Sequence, residues 1–327
     1  MSPRLRDHPD DLAALVAAVS SASGIVEAYV EKDFWATEVL RAAAAARTVP
    51  LVAGGVAAVA FLFKGGTSLS RVFHITERFS EDIDLLAVFP EGASLKARHN
   101  VLKQVDADVT AHLHRPGEVV PGSSDTGVKR YTAYRYPTDR SDVLLREGVL
   151  LELGSRGGTH PAGRHPYTSM VAEHAIGTFG DSVGTWEEFA PFEVLTLAPE
   201  RTLLEKLAGL HAMATLGQTG RLLKAGRHFY DVYRLLGDTT TYAALVELGS
   251  DGVAALVADI DEHSRAAGFP LAPRPAGGYA VGAAFDDSGE MADVVSAAYR
   301  GATQLIYGAV PTIGEIRERV RSSAALL

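Results

Sequence analysis

Apolar positions change their period along the chain, and the changes predict its elements. Leu12, Leu15, Val16 and Val19 recur at helical spacing, which predicts a helix over 10–20. A second helix is expected over 25–46, where Val26, Val30, Phe34, Val39 and Leu40 form a rough stripe and a run of alanines favours helix. Within it, Glu31 and Asp33 are expected on a charged outer face, with Phe34 and Trp35 buried. Phe61-Leu62-Phe63 reads as a strand ending at Gly65-Gly66. A short helix that Thr67 or Ser68 can cap follows, then a second strand, Asp82-Ile83-Asp84-Leu85. Residues 94–114 read as a polar-faced helix, 116–126 as a loop, 129–136 as a strand, and Val149 to Gly154 as a buried strand. The stretch 155–168 is rich in Gly, Pro and His and is expected to be a loop. Phe192 to Ala198 is a last strand before Pro199, which suits the first turn of a helix. From there the pattern is helical: Leu203, Leu207 and Leu210 share a stripe, and helices are expected over 221–236, 242–260, 289–307 and 313–327.

Composition narrows this picture in three respects. The chain has 327 residues, room for two lobes, and its 47% hydrophobic content is that of a globular protein. The apolar run 49–63 is short and broken by Gly54-Gly55, so a buried segment is expected there and no membrane partner. The absence of cysteine removes disulfides, thiolate metal sites and cysteine nucleophiles, and fits a cytoplasmic location. The net charge of −9 argues against general coating of nucleic acid, and DNA is not an expected partner. Two tracts run the other way. Residues 201–234 hold six Lys/Arg against two acids (+4), and 127–170 hold seven against four (+3). Such tracts are compatible with RNA bound along one groove.

The candidate chemistry lies between Phe61 and Leu86. Asp82 and Asp84 are two apart on a strand, so both carboxylates share one face, while Ile83 and Leu85 turn to the core. Gly65 and Gly66 let a backbone approach a ligand closely, and a helix start after them suits a phosphate. Paired carboxylates beside a phosphate cradle are what Mg²⁺-dependent phosphoryl or nucleotidyl transfer needs. Glu152 interrupts an apolar strand, where an unpaired carboxylate is costly; it is either a site residue or a residue of an edge strand with its carboxylate in water. Lys129 to Tyr136 alternates basic and aromatic residues, as a half-exposed strand or a platform for stacked bases. Ser80, two residues before Asp82, is a turn serine or a regulatory site where a phosphate would add negative charge beside the carboxylates.

Phe-Lys-Gly-Gly-Thr-Ser-Leu-Ser at 63–70 and Arg-Phe-Ser-Glu-Asp-Ile-Asp-Leu at 78–85 resemble the wording of the AbiEii/AbiGii nucleotidyltransferase toxin family, which includes the MenT-like toxins. Leu-Leu-Glu-Lys-Leu at 203–207 and Arg-x-x-Tyr-Asp at 227–231 resemble that family's later motifs. The resemblance implies a bilobed α/β (α+β type) enzyme, with a mixed-sheet nucleotidyltransferase core over 1–198 and a helical lobe over 199–327. It implies Asp82, Asp84, Glu152, Lys206 and Asp231 as catalytic residues, and Asp82 and Asp84 as Mg²⁺ ligands. Lys64, Gly65, Gly66, Thr67 and Ser68 would bind the NTP, with pyrimidines favoured. Lys206 would offset charge on the triphosphate and Asp231 would position Lys206 or the acceptor. The implied reaction transfers a nucleotide to an RNA acceptor, expected to be the tRNA 3′ end, which blocks aminoacylation. The implied partner is a cognate antitoxin. Two rivals stand beside it: an antibiotic-type nucleotidyltransferase with a small acceptor, and a non-catalytic antitoxin-binding protein of the same fold.

Overall fold

The computed structural model describes residues 2–140, 142 and 145–327, which divide into two compact units. The first takes residues 1–72, 80–155 and 162–196, and the second takes 73–79, 156–161 and 197–327.

The first unit opens with α1 (Pro9–Ser23) and α2 (Glu27–Ala43). Then come β1 (Arg47–Pro50), β2 (Val56–Lys64), α3 (Gly65–Arg71), β3 (Asp82–Val88) and α4 (Leu95–Leu113). After α4 run β4 (Gly117–Val119), β5 (Lys129–Tyr134), β6 (Val149–Gly154), β7 (Ala162–Tyr167), α5 (Met170–His174) and β8 (Phe192–Leu197). Among the described residues the strands form an eight-stranded mixed sheet in the order β4-β5-β6-β3-β2-β8-β7, with β1 paired to β2. β3 runs antiparallel to β2 and parallel to β6. The central strands therefore come from distant parts of the chain.

Alternation along these strands sorts their side chains. Ile83, Leu85, Leu151 and Leu153 are buried on one face, and Arg130, Thr132 and Tyr134 of β5 join that face by register. Thr132 and Tyr134 donate to the Asp106 carboxylate of α4 at 3.0 and 3.1 Å, and Arg130 pairs with the same carboxylate. The opposite face carries Asp82, Asp84 and Glu152. α4 starts where expected, with Ser94 accepting a hydrogen bond from Ala97 N as its N-cap.

Four expectations need correction. Glu31 and Asp33 are buried, at 5% exposure each, and not on an outer face. Each has dedicated partners: Asp33 accepts from Arg71 Nε and Met170 N, both at 2.7 Å, and Glu31 accepts from Thr138 Oγ1 at 2.5 Å. Thr67 and Ser68 do not cap α3; the helix begins at Gly65 with Lys64 as N-cap, so both lie inside it. The expected loops at 116–126 and 155–168 contain β4 and β7, whose strand pairing overrides Gly/Pro-rich composition. The helix expected over 221–236 is instead two helices, one ending at Lys224 and the next starting at Arg227; at Gly226 between them a Cβ would lie 2.0 Å from the carbonyl oxygen of Ala298.

The second unit is helical: α6 (Pro199–Thr215), α7 (Thr219–Lys224), α8 (Arg227–Gly237), α9 (Thr239–Ala267), α10 (Ala292–Ala302) and α11 (Ile313–Ser322). Pro199 occupies the first turn of α6 as its residue type suggests. Segment 73–79 belongs here through backbone bonds, Phe79 N to Leu305 O at 2.8 Å and Tyr307 N to Glu77 O at 3.0 Å. Among the described residues, no single helix is long and apolar enough to cross a membrane.

Candidate active site

Sheet register builds the site of the first unit. Lys64 of β2 pairs with Asp84 of β3, Asp84 with Glu152 of β6, and Glu152 with Tyr131 of β5. Residues directly opposite on neighbouring strands share a face, so these four form one row across the sheet. Asp82 lies two residues along β3 on the same face. β6 is an interior strand, so Glu152 does not hang from a sheet edge.

Burial and charge act together on this row. Burial first, then the nearby Asp84 and Asp82 carboxylates, push Glu152 up to about 7. Burial and the same acids, Glu152 before Asp84, push the Tyr131 hydroxyl up to about 12, so it stays protonated and bonds to Glu152. Three carboxylates facing one another leave a surplus of negative charge that a cation would relieve. Among the described residues, no three His, Asp or Glu side chains are arranged to hold a metal ion by themselves. Asp82 and Asp84 instead suit Mg²⁺, which binds through one or two carboxylates and fills its remaining positions with water and phosphate oxygens.

Gly65 sits against this row. Its φ is +85°, and a Cβ there would fall 2.2 Å from Asp84 Oδ2. The sequence places glycine here for two reasons, the left-handed backbone and the close approach of the carboxylate. Gly65→Ala is expected to displace the Asp84 carboxylate and to cut the nucleotide transfer implied by the resemblance at least about tenfold, with strain of about 1–2 kcal/mol at the backbone. Rate measurements beside circular dichroism check this; a Gly65→Ala protein with full activity would show that the contact is not needed.

The neighbouring hydroxyls are already engaged. Thr67 Oγ1 donates to Asp82 O at 2.7 Å and lies 3.0 Å from Ser80 Oγ, while Ser68 Oγ donates to Gly65 O at 2.9 Å. Both Thr67 and Ser68 are buried. Ser80 is half-buried against Thr67, a contact that ties the start of β3 to α3.

Lys206 and Asp231 come together in the second unit. Asp231 is fully buried on α8 and accepts from Arg78 Nε at 2.6 Å and Arg78 Nη2 at 2.8 Å. Lys206 Nζ lies 2.8 Å from Asp231 Oδ2. Burial alone would raise the Asp231 pKa; Arg78 and Lys206 outweigh it and hold the carboxyl well below its usual range.

The basic tracts look different in three dimensions. Of the six cations in 201–234, Arg201 is buried against Glu205 and Asp259, Lys206 pairs with Asp231, and Arg234 with Glu77. In 127–170, Arg130, Arg135 and Arg140 pair with Asp106, Glu147 and Glu27. Summed charge therefore overstates the free positive surface. On strand β5 only Lys129, Tyr131 and Ala133 point to the carboxylate face, and Lys129 Nζ stands 5.9 Å from the Tyr131 ring centre.

Sequence reasoning missed Arg78 and Arg146. Arg78 opens the quoted 78–85 motif, and its 3% exposure reveals it as a buried partner. Arg146 stands 3.8 Å from Asp82 Oδ1 and has no local motif to mark it. Lys32 of α2, between Glu31 and Asp33, is committed to Glu81 at 2.6 Å.

A family model described as nucleotidyl transferase AbiEii toxin, Type IV TA system, matches residues 55–291. No curated protein matches the chain.

Proposed function

The chain belongs to the AbiEii family of nucleotidyltransferase toxins of toxin–antitoxin systems, and from that premise we propose that it transfers a nucleotide from an NTP to RNA, the tRNA 3′ end being the favoured acceptor. The observation that carries this reading is the placement of Asp82, Asp84 and Glu152 on one face of two adjacent interior strands, with Gly65 against Asp84. Membership implies a cognate antitoxin as partner.

In the proposed reaction an acceptor hydroxyl oxygen forms a bond to the α-phosphorus of the NTP. The bond from that phosphorus to the bridging oxygen breaks, and pyrophosphate leaves with the electron pair. Asp82 and Asp84 would hold Mg²⁺, which would supply charge neutralisation at the phosphates. Glu152, beside Asp84 and bonded to Tyr131, would take the acceptor's proton. The backbone of Lys64 to Ser68 would seat the phosphates, since the Thr67 and Ser68 hydroxyls are engaged within the protein. Lys206 and Asp231 remain candidates for catalysis on the family's motifs. A pyrimidine NTP is favoured on the same ground, as is action in the cytoplasm, where tRNA is charged.

Incubating the protein with total RNA and each α-³²P-labelled NTP, with and without Mg²⁺, tests the reading. Label is expected in the tRNA band, only with Mg²⁺, and with one or two of the four NTPs. Binding of the RNA should weaken as salt rises, since phosphate contacts release counterions. Label on a small molecule would favour the antibiotic-type rival, and no label in any fraction the non-catalytic one.

A further inference from the structure

One cation on the carboxylate face comes from none of the motifs. Arg146 lies just before β6, and its Nη1 is 3.8 Å from Asp82 Oδ1. The side chain is 57% exposed, so it is not locked inside the protein as Arg71 and Arg78 are. Its backbone is locked. Arg146 N donates to Glu81 Oε2 at 2.5 Å, and Arg146 O accepts from Lys32 Nζ at 2.5 Å. Lys32 Nζ also donates to that same Glu81 oxygen, at 2.6 Å. One ammonium and one carboxylate thus grip both polar groups of residue 146.

The clamp is costly to build. Lys32 is 2% exposed, and burial lowers its pKa against the opposing pull of Glu81. A buried ion pair of this kind contributes little net stability relative to apolar packing, so its use here is to fix a geometry. What it fixes is the root of a side chain that remains able to swing over Asp82.

An ion pair at 3.8 Å with an exposed arginine is weak and readily exchanged. A divalent ion on Asp82 would take the guanidinium's partner and repel it by like charge. The anions then within reach are the phosphate oxygens that accompany the ion, and a planar guanidinium binds these two at a time.

We propose that Arg146 is a nucleotide-contacting residue: its guanidinium exchanges Asp82 for non-bridging oxygens of the metal-bound triphosphate, with Lys32 and Glu81 as positioning residues that hold its backbone. This rests on the nucleotidyl-transfer reading above and names a residue of the same site. Arg146 moves no proton; its charge faces the pyrophosphate as that group leaves with its electron pair.

The test is calorimetric binding of Mg²⁺ with the α,β-methylene analogues of ATP, CTP, GTP and UTP, which bind without reacting. Arg146→Ala is expected to weaken the preferred analogue about 10- to 100-fold, the loss of a charge-assisted pair of hydrogen bonds. Arg146→Lys should recover part of that loss, and Glu81→Gln should weaken binding severalfold. Affinity for tRNA should stay within about twofold of wild type, and the melting temperature of the Arg146 variants should be unchanged, as an exposed side chain implies. If the wild-type protein binds no analogue, the nucleotidyl-transfer reading falls and this one with it. If wild type binds and Arg146→Ala binds equally well, or if the loss appears in tRNA affinity instead, the assignment of Arg146 alone is overturned.

Discussion

Replacing Asp82 or Asp84 by alanine is expected to abolish the proposed nucleotide transfer and growth arrest, while the protein keeps its fold. The expected loss in rate is at least about 10³-fold, because metal-borne stabilisation of transition-state charge is worth several kcal/mol and each 1.36 kcal/mol is tenfold. Retention of the fold follows from where the charges sit. After burial, Asp84 and Asp82 are what raise the pKa of Glu152; like charges are held together here, and removing one relieves that repulsion. The Arg146–Asp82 contact is half-exposed and worth about 0–1 kcal/mol. Thermal melting within a few degrees of wild type, beside absent transfer, is the expected pair of results. Normal transfer by either purified variant would end the metal assignment.

Asp231→Ala has the opposite profile and costs stability first. Its removal takes from Arg78, 3% exposed, and Lys206, 9% exposed, the carboxylate they share. Breaking a buried ion pair by removing one partner costs about 3–5 kcal/mol, a large share of a domain's stability. Adding Lys206→Met to Asp231→Ala should return part of that loss, since one buried cation is gone, and none of the transfer activity. If both Lys206→Ala and Asp231→Ala transfer at wild-type rates at a temperature where they are folded, neither residue is catalytic. The same cluster sets an acid limit. The folded pKa of Asp231 lies below its unfolded value of about 4, so its stabilisation is fully present above about pH 4 and is lost as pH falls below that towards the folded value. Acid unfolding of Asp231→Ala should accordingly be shallower below pH 4 than that of wild type.

The carboxylate face is legible in the sequence because period-two alternation is a strong local signal: Asp82 and Asp84 flank Ile83, and Glu152 stands alone among leucines. The Asp84–Glu152 pairing itself depends on strand order, which no local pattern carries. Buried charge is the least legible feature. Glu31 and Asp33 look like a solvated helix face until Arg140 and Arg71, far along the chain, supply partners. Asp231 has an arginine at i−4, Arg227, the usual helical partner, yet its ion pair is with Arg78, 153 residues away. The basic tracts mislead for the same reason, since a sum along the sequence cannot see which cations are already matched.

The row Lys64–Asp84–Glu152–Tyr131 takes one residue from each of four strands, and the strand between Asp84 and Tyr131 in space is the last of the four in sequence. Such a row is a set of non-local contacts, formed only after long loops have closed. On the ribosome, a growing chain that has not yet released β6 holds no Glu152 and leaves β3 and β5 without the strand that joins them. Strand order thereby delays the assembly of this face until β6, which ends at Gly154, has been made, so a growing chain that stops short of β6 lacks it.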